Sequence, residues 1–161
     1  MIVRPARQSE LGAVGELRVD AYNAQNLLSL NPPYADTLRT LGTDGRGEVL
    51  VAVDGAGLLG TIMLDPWHPN SEVARGPEEA EIRGLAVAPA AQGRGVGARL
   101  VRAVIDRATE RGARLLLLST LPIMAAAQRL YVASGFTRLP DRDWSPRPGV
   151  TLLAFCRTLD E

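Results

Sequence analysis

Hydrophobic positions along the chain follow two spacings, and each spacing predicts a different kind of element. Apolar residues that recur every third or fourth position predict helices, over residues 9–22, 34–41, 96–108 and 124–134. Short runs that alternate or are uniformly apolar predict strands, over residues 2–4, 48–53, 58–64, 79–87, 115–118, 137–139 and 151–157. The proline-containing segment around Trp144, Pro146 and Pro148 predicts a loop.

The order of these elements predicts a mixed α/β fold. The turn residues Asp54-Gly55-Ala56-Gly57 between two strands predict a hairpin. The run Leu115 to Leu118 has no polar face, which is typical of a strand that is covered on both sides. Residues 79–119 therefore predict a strand, a helix and a second strand, parallel to the first.

The stretch AAQGRGVGARL, residues 90–100, fits two phosphate-binding patterns. A dinucleotide fingerprint needs glycines directly at the end of a strand and an acidic residue about 20 positions further on. Neither condition holds, because Ala88 to Gln92 precede Gly93 and the next strand ends in Ser-Thr-Leu-Pro. The other pattern needs only bare backbone N–H groups at the start of a helix, where the helix dipole favours a pyrophosphate. We therefore expect residues 93–98 to hold a pyrophosphate, with Arg94 as an optional helper.

Two motifs in the second half of the chain resemble those of the Gcn5-related N-acetyltransferases (GNAT). Gln92, Gly95 and Gly97 match the family's Gln/Arg-x-x-Gly-x-Gly/Ala after a strand. The segment AAAQRLYVASGF, residues 125–136, matches Ala-x-x-Leu-Tyr-x-x-x-Gly-Phe. Met124 departs from the pattern, because many members carry Asn at this position.

The resemblance implies one N-acetyltransferase domain over residues 1–161. Its expected fold is α/β (mixed α+β), with a central, mostly antiparallel twisted sheet, helices on both faces and one parallel strand-helix-strand crossover. Acetyl-CoA is the implied acetyl donor, although a longer acyl-CoA stays open. The implied cofactor-binding residues are Leu85, Ala86, Val87, Gln92, Gly93, Arg94, Gly95, Val96, Gly97, Ala98 and Tyr131.

The resemblance also implies direct acetyl transfer to an amine. The backbone N–H of Leu85 is expected to face the thioester oxygen, and that of Val87 the pantetheine amides. Glu81 is the expected general base, and strand alternation puts it on one face with Arg83 and Leu85; a solvated or Arg83-paired carboxylate is the alternative. Glu78 and Glu79 are weaker candidates.

Tyr131 is the expected acid for the leaving thiolate, and the alternative is a tyrosine of the core. Gly84, inside a predicted strand, marks either a bulge or a close backbone approach, and the alternative is only a weak point in an ordinary strand. Cys156 lies in an apolar strand and is expected to be a buried hydrophobe rather than a nucleophile.

Charge balance, cysteine content and hydropathy limit the classes of partner and the cellular location that we expect. The 18 basic residues balance the 18 acidic residues, which argues against a general nucleic-acid binder. A single cysteine fits a reducing cytoplasm, and no apolar stretch predicts a signal peptide or a membrane span.

The lone His68 has no partner ligands in sequence, so no metal site is expected. His68, Trp67, Tyr22, Asn26 and Tyr34 are residues that either border the acceptor pocket or serve packing and surface roles.

The acceptor is expected to be a small-molecule amine or a peptide amine. The sequence does not decide between a monomer and a homodimer. The alternative function is a non-catalytic module that binds or senses acyl-CoA.

Overall fold

The structure is a computed structural model that describes residues 1–29, 31–55 and 57–159. Within them the chain forms helices at α1 Leu11–Ala24, α2 Tyr34–Thr40, α3 Val96–Glu110 and α4 Ala125–Ala133. The strands are β1 Ile2–Pro5, β2 Glu48–Asp54, β3 Gly57–Pro66, β4 Glu79–Val87, β5 Leu115–Thr120, β6 Thr137–Arg138, β7 Trp144–Arg147 and β8 Val150–Thr158. The mixed α/β fold that the sequence predicts is confirmed. None of the helices in this part of the chain combines the length and the apolar character that crossing a bilayer requires.

The strands form a mostly antiparallel sheet in the order β1-β2-β3-β4-β5-β8-β6, with β7 paired to β8. β4 and β5 are parallel, with Glu79 opposite Leu115 and Glu81 opposite Leu117. The predicted crossover from β4 through α3 to β5 is thus confirmed. The predicted hairpin is also present, because Asp54 pairs with Gly57, while Ala56 lies outside the described residues.

The prediction of a loop around Trp144 is wrong, because Trp144–Arg147 form β7. Among the described residues this strand pairs with β8 alone, through Trp144 opposite Leu152 and Arg147 opposite Val150. Proline lacks a backbone N–H but is tolerated on an edge strand. The prolines of this segment therefore suggested a loop, but its pairing with β8 makes it a strand.

The chain divides into two compact units, of which the first comprises Met1–Leu64 and Arg83–Ala103. Each of three apolar clusters in this unit contains at least one residue of α1, because different faces of this helix are buried. The cluster members are Val14, Val49, Val51 and Met63; Leu17, Ala21 and Ala86; and Val19, Leu28 and Leu38. Because α1 contributes to each cluster, its position is fixed by β2, β4 and α2 together.

The second unit comprises Asp65–Ile82 and Val104–Glu161. Its cluster joins Val73 and Ala74, which precede β4, to Leu117 in β5 and Ala154 in β8. The polar connector between β3 and β4 is thereby tied to the sheet by two small apolar side chains.

Gly60 in β3 is a point of close packing that composition does not reveal. A Cβ there would lie 2.9 Å from the carbonyl oxygen of Ala86 and 2.9 Å from Cγ1 of Val96. It would also lie 3.0 Å from Cδ1 of Leu100. The missing side chain lets β4 and the start of α3 approach β3.

We expect Gly60→Ala to lower the free energy of unfolding by about 1–3 kcal/mol, because the added methyl group overpacks this contact. Gly57→Ala is the matched control, since a Cβ at Gly57 would meet nothing within 4 Å. Urea unfolding of both variants tests the prediction, and equal midpoints would contradict it.

Candidate active site

The glycine-rich loop before α3 presents bare backbone. Gly93 and Gly95 have φ angles of 79° and 76°, in the left-handed region that favours glycine. A Cβ at either position would meet nothing within 4 Å, and residues 92–95 are exposed. The open side of this loop is therefore accessible to a ligand.

The first turn of α3 supplies hydrogen-bond donors next to the loop. The N–H groups of Val96, Gly97 and Ala98 have no acceptor four residues earlier within the helix. The N–H of Arg99 is the next donor, and it bonds to the carbonyl oxygen of Gly95 at 3.2 Å. Donors and helix dipole together favour an anion at this end of α3.

Two side chains of the loop fasten it to its surroundings. Gln92 donates from Nε2 to the carbonyl oxygen of Val87, the last residue of β4, at 3.2 Å. Arg94 forms an ion pair with Asp54 at the end of β2, with Nη2 2.9 Å from Oδ2. The charge of Arg94 is therefore engaged by Asp54, which fits its expected role as a helper rather than as the main phosphate ligand.

One edge of β4 lacks a neighbouring strand over its second half. The parallel register with β5 covers Glu79 to Glu81 and goes no further in the described chain. Just past β4, the N–H of Ala88 donates to the carbonyl oxygen of Leu59 at 2.8 Å. Because N–H directions alternate along a strand, Ala86 shares the direction of Ala88, while Leu85 and Val87 point to the opposite edge. Of the three predicted β4 residues, Leu85 and Val87 thus offer donors at the unpaired edge.

Gly84 interrupts the regular alternation of β4. Its φ angle is 65°, and a Cβ there would lie 3.0 Å from Cδ2 of Leu41 and 3.3 Å from Nε of Arg18. The predicted close approach at this glycine is confirmed. Strict alternation along the strand would put Glu81, Arg83 and Leu85 on one face. Because Gly84 has a left-handed backbone, this alternation does not continue from Arg83 to Leu85.

Glu81 is 2% exposed, so the alternative of a solvated carboxylate is wrong. Its Oε1 accepts hydrogen bonds from the backbone N–H groups of Val73 and Ala74, the latter at 2.9 Å. Its Oε2 has no hydrogen-bond partner among the described residues. One oxygen thus anchors the connector before β4, and the other is closed to solvent and has no hydrogen-bond partner among the described residues.

The neighbouring carboxylates are engaged differently. Glu79 accepts hydrogen bonds from Arg142 at 2.5 and 3.1 Å and from the backbone N–H of Arg75 at 2.8 Å. The hydrogen bond from Arg142 is the main reason that the pKa of Glu79 lies below its usual range. Glu78 is exposed and lies 3.7 Å from Arg114. A carboxylate held ionised by an arginine is a poor proton acceptor, so Glu79 remains a weaker candidate for the base.

His68 makes contacts within its own loop. Its Nε2 lies 3.5 Å from Oδ2 of Asp65, and its Nδ1 accepts a hydrogen bond from the N–H of Asn70 at 3.2 Å. No group of three or more His, Cys, Asp or Glu side chains in the described parts of the chain is arranged to hold a metal ion.

Tyr131 is buried on α4, where the end of the helix fixes its backbone. Its ring meets Phe136 edge to face, with centroids 5.9 Å apart. The N–H of Phe136 bonds to the carbonyl oxygen of Tyr131 at 3.0 Å, and Gly135 has a φ angle of 92°, which together form a Schellman cap. Burial raises the pKa of the Tyr131 phenol, so the group stays protonated at neutral pH and is a weaker acid than an exposed tyrosine.

At the other end of α4, Met124 is the N-cap residue and its side chain makes no capping hydrogen bond. Its sulfur instead accepts a hydrogen bond from the hydroxyl of Thr120 at 3.4 Å. The residue that replaces the family's Asn thus contacts β5 through its sulfur and lacks an amide group.

Arg18 is the residue that the sequence interpretation missed. It is 1% exposed, although it is charged. The available signal was its spacing, because Val14, Arg18 and Tyr22 recur every four residues on the apolar face of α1.

We expect Glu81→Ala to lower the free energy of unfolding by about 2–4 kcal/mol, because it leaves the N–H groups of Val73 and Ala74 without their acceptor. Glu81→Gln keeps a carbonyl oxygen for both N–H groups and is expected to lose less. Thermal unfolding of the two variants provides the measurement. Equal losses would show that Oε1 does not anchor the connector.

Comparison with known proteins places this arrangement in a family. The Acetyltransferase (GNAT) family matches residues 13–136, whereas curated protein sequences gave no significant match.

Solved structures share the fold over nearly the whole chain. The ribosomal-protein-alanine N-acetyltransferase of Brucella melitensis is 24% identical, with a TM-score of 0.71 over 99% of this chain and 100% of that chain. The acetyltransferase yncA of Salmonella typhimurium, solved with acetyl-CoA, is 21% identical, with a TM-score of 0.71 over 100% and 95%. A GNAT acetyltransferase of Staphylococcus aureus is 17% identical, with a TM-score of 0.76 over 99% of both chains. Because the family match covers most of its length, the chain belongs to the GNAT acetyltransferase family.

Proposed function

We propose that this protein is a single-domain N-acetyltransferase over residues 1–161. It moves an acetyl group from acetyl-CoA directly to the amine of a small molecule or a peptide. The observation that carries this proposal is the exposed glycine loop at the start of α3, which follows, after Ala88 to Gln92, a strand whose edge is unpaired. A donor with a phosphate end and an amide-bearing arm fits this combination.

The phosphate end of the donor is assigned to residues Gln92 to Ala98. The positive φ angles of Gly93 and Gly95 and the free space beside them let an oxygen approach the main chain. Gly97 and Ala98 add N–H groups from the first turn of α3. Arg94 adds positive charge while it stays paired with Asp54.

The arm of the donor is assigned to the unpaired edge of β4, in the manner of an added strand. The N–H of Val87 would bond a pantetheine amide, and the N–H of Leu85 would polarise the thioester carbonyl. A backbone donor aimed at the developing oxyanion is worth about 3 kcal/mol in the transition state.

Glu81 is the proposed base that removes the proton of the acceptor amine. An alkyl amine has a reference pKa of about 10.4, so most of it is protonated at neutral pH. Oε1 holds the carboxylate to Val73 and Ala74, and Oε2 has no partner among the described residues. This geometry suits a group that must be fixed in place and still accept a proton.

Tyr131 is the proposed acid. As the nitrogen–carbon bond forms and the carbon–sulfur bond breaks, its hydroxyl gives a proton to the leaving sulfur. The proton that the attacking nitrogen then loses replaces the one given by Tyr131, and Glu81 releases the ammonium proton to solvent. One turnover thus yields the amide, the CoA thiol and one proton. Burial raises the pKa of this phenol, so the hydroxyl is protonated and donates a hydrogen bond to the leaving sulfur, while the same burial makes it a weaker acid than an exposed tyrosine.

The acceptor class draws support from relatives. The Brucella neighbour is a ribosomal-protein-alanine N-acetyltransferase, and the Salmonella neighbour was solved with acetyl-CoA. A non-catalytic module that only binds acyl-CoA is the alternative. Release of free thiol from acetyl-CoA across a panel of amines separates the two, since only the enzyme releases it in proportion to acceptor.

We expect Gly95→Ala to weaken CoA binding by at least about tenfold, a cost of about 1.4 kcal/mol. The added side chain disfavours the positive φ angle and stands where phosphate oxygens approach. Gly45→Ala is the matched control, because Gly45 has a φ angle of 82° and the same free space, but lies before β2. Calorimetric titration with CoA measures both, and unchanged affinity of Gly95→Ala would refute the assignment of the loop.

We expect Glu81→Gln and Tyr131→Phe each to lower kcat by about 10²-fold or more, with little change in CoA affinity. The Glu81→Gln defect should shrink as the pH rises toward the pKa of the amine, because the acceptor then loses its proton without help. Glu78→Gln, at an exposed carboxylate near the start of the same strand, serves as the control. Full rates in both site variants would show that the roles are wrongly assigned.

A further inference from the structure

Arg18 is a buried cation that the proposed chemistry does not use. It lies in the middle of α1 and is 1% exposed. Burying a charged group without full hydrogen bonding is costly. The contacts of this guanidinium therefore need an explanation.

One nitrogen of Arg18 is anchored to the end of α2. Nη1 donates to the carbonyl oxygen of Leu38 at 2.9 Å and to that of Leu41 at 2.7 Å. Carbonyl groups in the last turn of a helix lack partners within the helix, and a cation there is favoured by the dipole. Gly15, one turn earlier in α1, permits this approach, since a Cβ there would lie only 2.5 Å from the carbonyl oxygen of Arg39.

The other edge of the guanidinium is unsatisfied. Nε and Nη2 have no hydrogen-bond partner among the described residues and are closed to solvent, so a ligand reaches them only when the neighbouring groups move apart. These two nitrogens share one edge of the planar group, which is the edge that receives a carboxylate with two parallel hydrogen bonds.

The charges around Arg18 also favour an anion. Burial is the main reason that the pKa of Arg18 is lowered to about 10, while Tyr34 and Tyr22 act to raise it and Arg83 acts to lower it. The group therefore remains a cation at neutral pH. The rings of Tyr22 and Tyr34, whose centroids are 5.9 Å apart, stand near this cation.

The unsatisfied edge lies beside the break in β4. A Cβ at Gly84 would be 3.3 Å from Nε and 3.7 Å from Cζ of Arg18. Leu85, whose N–H is assigned to the thioester carbonyl, is the next residue, and successive Cα atoms are about 3.8 Å apart. A group bound by Arg18 would therefore be close to the position where the amine reacts.

We propose that the Nε and Nη2 edge of Arg18 binds a carboxylate of the acceptor. The acceptor is then a compact amine with a free carboxylate a few bonds away, such as an amino acid. This inference rests on the proposed acetyl transfer and adds the substrate class to it. A role of Arg18 only as a cap for α2 would use Nη1 and would leave the two other nitrogens without a function.

The first test uses the unaltered protein. Free amino acids and their carboxamides, for example alanine and alaninamide, are compared as acceptors by thiol release from acetyl-CoA at a pH where both amines carry the same charge. We expect kcat/KM to favour the carboxylate member by at least about 100-fold, because a site built to bond a polar group rejects an analogue that lacks it. Equal values for the two members would overturn the inference while leaving acetyl transfer intact.

The second test changes Arg18. Arg18→Lys keeps the charge and removes the planar edge, and Arg18→Met removes both. We expect the preference for the carboxylate member to fall to within about threefold in Arg18→Met, mainly through KM, with CoA affinity retained. Thermal unfolding shows whether each variant still folds. If neither variant folds, the inference is decided by whether the unaltered protein prefers the amino acid over its carboxamide.

The third measurement separates this inference from the proposed function. Calorimetry with alanine and alaninamide in the presence of CoA reports binding without turnover. Selective binding of alanine without acetylation of any amine would support Arg18 as a carboxylate site and refute the transferase proposal. If calorimetry shows no preference for alanine over alaninamide and kcat/KM shows none either, the carboxylate site is refuted.

Discussion

The short register between β4 and β5 is the constraint on which the rest of the site depends. Parallel pairing covers Glu79 to Glu81 and then ends, and the left-handed backbone at Gly84 follows soon after. The N–H groups of Leu85 and Val87 are consequently left at an edge without a strand. Unpaired backbone donors are a liability in an ordinary sheet, yet they can bind an extended ligand.

Two buried polar side chains have the same kind of arrangement, one in each unit. Glu81 uses one oxygen to hold the connector at Val73 and Ala74, and its second oxygen lacks a partner among the described residues. Arg18 uses Nη1 to hold the end of α2, and its Nε and Nη2 lack partners there too. In each case the anchored half fixes the side chain, so the other half is positioned before a ligand arrives. Such pre-organisation reduces the entropy lost on binding.

The carboxylates of β4 show why position alone does not define a catalytic group. Glu79 and Glu81 are two residues apart in one strand. Glu79 is ionised and held by Arg142, whereas Glu81 is bonded only through Oε1 to backbone N–H groups. A carboxylate neutralised by an arginine has little tendency to take a proton. The tertiary partner of each side chain, rather than its residue type, distinguishes the two.

The sequence by itself determined the elements, the parallel crossover and the glycine cradle, because periodicity, caps and positive φ angles are local properties of the chain. Only the tertiary structure decided that Trp144–Arg147 form a strand and that Gly60 allows β3 and α3 to meet. It also decided that one edge of Arg18 has no partner among the residues that the structure describes. These features depend on residues far apart in the chain, and their contacts leave no periodic signal in the order of the amino acids.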